Sequence, residues 1–120
     1  MFQIRKISSC PAEPLRNDRG TNIQLVGEGM GAQKVDVHII VLRPGGPSGP
    51  YHFHERAENV YWILEGKGRL TVDGEEHIVE KDDIVFIAAG TPHSLSSFPD
   101  QELRLLEIYA PAGKDFVPAG

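Results

Sequence analysis

The sequence predicts an all-β fold of a single domain, a small sandwich or barrel, and three observations carry that expectation. No stretch of the 120 residues sustains a 3.6-residue apolar period long enough for a core helix. Several short runs rich in Val, Ile, Leu, Tyr and Phe alternate apolar with polar side chains. Clusters of Gly, Pro, Asp and Asn separate those runs at regular intervals, the spacing expected of sandwiches and barrels.

Residues 1–20 read as an irregular N-terminal arm. Phe2, Ile4 and Ile7 could form a short edge strand, and the prolines at 11 and 14 break regular structure after it. Residues 22–26 read as a short strand. The glycine-rich GEGMGA that follows is a turn; it lacks the Gly-Lys-Ser/Thr ending of a phosphate loop. KVDVHIIVLR, residues 34–43, is the clearest strand, with Val35, Val37, Ile39 and Val41 alternating against Lys34, Asp36 and His38. A lone strand histidine such as His38 is expected to face solvent or a hydrogen-bond partner. RPGGPSGP, residues 43–50, bends the chain and lets backbone approach other groups closely. Strands follow at 51–55 and 60–64. Asp73-Gly74 between two β runs predicts a hairpin within 68–80, with His77 exposed on its second arm. Further strands are expected at 84–87, 93–98 and 103–109, before a proline-rich tail over 110–120 that Phe116 could anchor.

The residues that carry chemistry lie in the middle of the chain. His52 and His54 are two apart, so in a strand they project from one face, and Glu58 keeps the same parity. His93 is a fourth candidate, in AAGTPHS. Imidazoles converging with a carboxylate suit a metal ion. The pattern of Gly46, His52, His54 and Glu58 resembles the first motif of the cupin superfamily, within residues 46–66. DDIVFIAAGTPHSLSS, residues 82–97 with Gly90 and His93, resembles its second motif. The resemblance extends over about the whole chain. It implies a single-domain cupin, a double-stranded β-helix or jelly-roll barrel of one motif pair, with His52, His54, Glu58 and His93 as metal ligands. Cupins usually place six residues between the motif glutamate and the closing glycine, whereas seven separate Glu58 from Gly66. Counting parity from Glu58 turns Val60, Trp62 and Leu64 inward; a β-bulge absorbing the extra residue turns Tyr61 and Ile63 inward instead.

Three neutral imidazoles and a carboxylate suit a divalent transition metal (Mn, Fe, Ni, Zn, Cu or Co) better than Ca or Mg. Four protein ligands on an octahedral ion leave two positions for a chelating, oxygen-rich, anionic small-molecule ligand. Two functional classes follow: a metalloenzyme of isomerase, dioxygenase or decarboxylase-like lyase type, or a metal-dependent binding or sensing module without turnover. No general acid or base stands out. Protons should displace the metal as the pH falls below about 6.5, the ordinary histidine value. The net charge of −5 argues against a nucleic-acid partner. No apolar run approaches the ~20 residues of a membrane helix, and no segment reads as a signal peptide. A single cysteine, Cys10, allows no internal disulfide and fits a cytoplasmic setting. The apolar residues of the arm are expected to cover a sheet edge of a second copy in a homodimer.

Overall fold

The structure is a computed structural model and describes residues 1–120. It is all-β, with no α-helix and only three short 3-10 turns. Eleven strands run in order: β1 (Ala12–Pro14), β2 (Gly20–Val26), β3 (Asp36–Leu42), β4 (His52–Phe53), β5 (Glu58–Glu65), β6 (Lys67–Val72), β7 (Glu75–Glu80), β8 (Ile84–Ile87), β9 (His93–Ser97), β10 (Leu103–Ala110) and β11 (Val117–Pro118). They form two antiparallel sheets, β1-β2-β3-β10-β5-β8 and β11-β4-β9-β6-β7. Consecutive strands repeatedly fall in different sheets, so the chain winds around a common interior, as a jelly roll requires. No helix is long and apolar enough to cross a membrane.

The interior is built by alternation. Leu103 and Leu105 of β10, Tyr61 and Ile63 of β5, Leu70 of β6 and Leu95 of β9 pack with Leu42, Val79 and Ile87 into one cluster between the sheets. Burying such side chains stabilises by about 1.5–3 kcal/mol each. The same alternation carries polar groups inward near one end: Asp36 and His38 of β3, Asn59 of β5 and His93 of β9 are all buried.

The ends of the chain differ from the sequence expectation. Phe2 and Ile4 form no strand and stay exposed, and Ile7 opens a 3-10 turn. The edge strand is instead Ala12–Pro14, paired with β2 through Ala12↔Ile23 and Pro14↔Thr21. Proline is tolerated there because an edge strand leaves half its N–H groups unpaired anyway. The tail adds the two-residue β11, paired with β4 through Val117↔Phe53 and Pro118↔His52. The Asp73-Gly74 hairpin is as expected, with both residues at positive φ (49° and 81°), the signature of a type I′ turn.

Two glycines are dictated by close approach. Gly66 has φ +87°, and a Cβ there would lie 2.0 Å from the carbonyl oxygen of Glu102. A Cβ at Gly49 would meet the Arg19 guanidinium at 2.7 Å and the Leu95 oxygen at 2.9 Å. The Gly49 N–H donates to that same Leu95 oxygen at 3.2 Å, which holds the 43–50 segment against β9.

Candidate metal centre

Three histidines converge at the polar end of the interior. β4 lies antiparallel to β9, with His52 directly opposite His93. His54 leaves β4 two residues later on the same side. The candidate ligand nitrogens of His52, His54 and His93 all lie within 4.8 Å of one another. Ring centroids are 4.4 Å apart for His52 and His93, 4.9 Å for His52 and His54, and 5.5 Å for His54 and His93.

The hydrogen bonds fix the tautomer of each ring. His52 Nδ1–H donates to the Pro50 carbonyl at 2.8 Å, and His93 Nδ1–H to the Thr91 carbonyl at 2.8 Å. His54 Nδ1–H donates to the carbonyl of Asp115. A carbonyl only accepts, so each Nδ1 carries the proton and each Nε2 keeps its lone pair. The Nε2 atoms of His54 and His93 are buried with no partner. Buried acceptors without a partner are costly and uncommon. Three oriented Nε2 lone pairs are a donor set that Zn, Fe, Ni, Co or Cu would satisfy, so the residues present fit a metal.

Burial reinforces the neutral state. It lowers the His52 pKa to about 4, against the opposing Pro50 hydrogen bond, and the neighbouring His93 and His54 lower it further. Burial also lowers His93, again with a contribution from His54. For these two rings, proton competition therefore begins below the ordinary histidine value of about 6.5.

Glu58 does not join the group. It is the exposed first residue of β5, opposite Ala110, and alternation from there buries Asn59, Tyr61 and Ile63 while leaving Trp62 exposed. The expected inward parity of Glu58 is thus reversed. The register shift in the β5–β10 pairing falls further on, between Arg104 and Leu105, so no bulge re-aims Glu58. The extra residue sits in the turn before β5. The Asp115 carboxylate accepts there from the backbone N–H of Glu55, Arg56 and Ala57, each at 2.8 Å. Leaving six residues before Gly66 lands on Asn59, and that spacing was the signal available in the sequence.

Behind the histidines lies a buried polar chain that sequence reading missed. Asn59 Nδ2 donates to Glu107 Oε2. The other Glu107 oxygen pairs with His38 Nε2 at 2.6 Å, and His38 Nδ1 bonds Asp36 Oδ1 at 2.8 Å. His38 therefore faces inward rather than solvent, because β3 sets 36, 38 and 42 toward the interior. Burial alone would lower the His38 pKa, but the two flanking carboxylates outweigh it and raise it. Tyr61 is pushed well up by burial and by the Glu107 charge, so its hydroxyl stays protonated. Tyr109 stacks on His54 at 6.1 Å, and Phe116 stacks on His52 at 4.6 Å.

The family model described as Cupin domain matches residues 38–109. A 63-residue stretch is 36% identical to an uncharacterized protein of Methanocaldococcus jannaschii, covering 52% of this chain and 50% of that one. Another of 61 residues is 41% identical to quercetin 2,3-dioxygenase of Bacillus subtilis, covering 49% of this chain and 18% of the enzyme. The chain thus spans about half or less of the length of these curated relatives. Among solved structures, the polyketide cyclase RemF of Streptomyces resistomycificus superposes with a TM-score of 0.86 at 26% identity, over 100% of this chain and 87% of that one. The motif histidines, the two-sheet jelly roll and the matched residues 38–109 place the chain in the cupin domain family.

Proposed function

We propose that this chain is a metal-dependent cupin that binds a small, oxygen-rich, anionic organic molecule and acts on it by Lewis-acid-assisted proton transfer, of the isomerase or cyclase type. The carrying observation is the set of three Nε2 lone pairs held inward by backbone carbonyls. A divalent ion there would supply Lewis acidity and a template for two oxygens. The protein's own groups complete the setting. Tyr61 offers a neutral hydroxyl. Arg19, near Tyr61 and Glu107, has a buried Nε without a partner, a donor that supports binding of an anion. The likeness to a polyketide cyclase over the full chain supports the cyclase type.

One observation favours a second reading, a binding module without turnover. Glu107, whose charge both His52 and His93 feel, has one oxygen engaged by His38 and the other by Asn59, leaving it poorly placed as a mobile base. Calorimetry with oxalate, α-keto acids and diols separates the cases. Binding is expected to the metal-loaded protein alone; equal binding by the metal-free form sinks the metal-centred reading. Product formation from any bound compound selects the enzyme, and binding without product across the panel selects the module.

We further propose a homodimer. On the outer face of β5 and β8, Trp62 lies opposite Ile84 and Val60 opposite Phe86, and Trp62, Ile84 and Phe86 are exposed. Phe2 and Ile4 of the arm are exposed as well. Contiguous exposed apolar side chains favour association. Light scattering at micromolar concentration is expected to give twice the chain mass, and Phe86→Asp to give the monomer. A wild-type monomer refutes the dimer, and a dimer that survives removal of residues 1–10 refutes a role for the arm.

A further inference from the structure

The geometry points to Asn59, aimed by Glu107, as the fourth protein donor of the metal site in place of Glu58; this rests on the metal-dependent reading above. Asn59 is 1% exposed, and its Oδ1 is buried without a partner, as are Nε2 of His54 and His93. It shares the inner face of β5 with Tyr61, whose ring meets that of His93 at 6.4 Å. Its partner across the β5–β10 ladder is Tyr109, which stacks on His54. Asn59 therefore neighbours both side chains whose rings face His54 and His93.

Its amide has one defined orientation. A carboxylate oxygen only accepts, so the group that Asn59 presents to Glu107 is the NH2, and Oδ1 is turned away from Glu107. Glu107 is itself held by His38, and His38 by Asp36. Asp36, His38 and Glu107 are in this sense positioning residues for Asn59. A carboxylate is still present in the interior: Glu107, from β10, holds the Asn59 amide. Three imidazoles and an amide oxygen form an uncharged donor set, which leaves the charge of a divalent ion for an anionic ligand.

The test uses Co2+ alone on the full chain, read by chelator competition and by the visible absorption of the ion. Wild type is expected to bind one Co2+ per chain, and Glu58→Ala to bind it within about twofold of wild type. Asn59→Ala is expected to weaken binding by at least the roughly 10–100-fold typical of losing a partner that orients a ligand, and to change the spectrum by removal of an oxygen donor. Glu107→Gln keeps the size of the side chain but frees the Asn59 amide to turn, and is expected to weaken binding by about tenfold or more. Circular dichroism confirms that each variant is folded, and the isosteric Glu107→Gln stands if Asn59→Ala is not. Wild-type affinity and spectrum in Glu107→Gln, or a loss in Glu58→Ala as large as in the other two, overturns the assignment. If wild type takes up no Co2+, or His93→Ala retains it fully, the metal reading itself has failed instead.

Discussion

His93→Ala is expected to abolish metal loading, from about one transition metal per chain to a level that dialysis removes. His93 is the most buried of the three histidines, at 1% exposure, and it is locked in place twice. Its strand pairs with β4 at His52 and with β6 at Val72, and its Nδ1–H is held by Thr91. Removing it takes away one of three oriented nitrogens and leaves a hole that no other imidazole can reach. The loss should exceed the roughly 10–100-fold cost of losing a partner that merely orients a ligand. His54→Ala should behave alike, because its Nε2 is also buried without a partner. Elemental analysis of protein purified and dialysed in parallel reads the effect. Full occupancy in His93→Ala, or in a His52→Ala, His93→Ala double variant, would falsify the site.

Without metal, stability is expected to peak near pH 6.5 and to fall on both sides. The acid side follows from His52 and His93. Their folded pKa values lie below the unfolded value of about 6.5, that of His52 at about 4. Between those values the unfolded chain holds protons that the folded chain does not, so stability drops as pH falls from 6.5 toward 4. Discounted for the partial exposure of His52, the loss is on the order of 1–2 kcal/mol. The alkaline side follows from His38, whose folded pKa is raised. Its pairing with Glu107 and Asp36 contributes fully below about 6.5 and is lost as pH rises through the folded value. Urea midpoints across pH 4–9 on the metal-free protein show whether both slopes exist. His52→Gln should flatten the acid slope; an unchanged acid slope in that variant would count against the burial of His52.

Much of the architecture was legible because it follows from local periodicity and turn chemistry. KVDVHIIVLR alternates, and Asp73-Gly74 is a pair that tolerates the positive φ a type I′ turn requires. The pairing of His52 with His54 was legible because strand parity is local too, and His93 was legible through the resemblance of residues 82–97 to the second cupin motif. The inward parity expected of Glu58 failed because it was carried across the 55–57 turn, although the seven-residue spacing to Gly66 already marked an extra residue there. What decides the register there is Asp115, some sixty residues away, whose carboxylate organises the turn. The inward orientation of His38 was hidden for a similar reason. A buried histidine is tolerable only with partners, and one of its partners, Glu107, lies 69 positions along the chain. β11 and the Ala12–Pro14 strand escaped because each is too short to show a period.

The clasp that the C-terminal segment places on the histidines also bears on when they come together. His54 is oriented by Asp115 across 61 positions, and His52 is stacked by Phe116 and flanked by Pro118. Contacts of such long separation close a large loop before they repay its entropy, and folds dominated by them assemble slowly. The HxH pair is contiguous and could meet an ion in the unfolded chain, but the three-nitrogen arrangement also needs His93 paired across from His52 and Asp115 of the tail in place, as in the finished barrel. Interactions that form after the folding barrier act on the unfolding rate. A bound ion would therefore work here as a kinetic latch on the finished barrel, prolonging the life of the native state without hastening its formation.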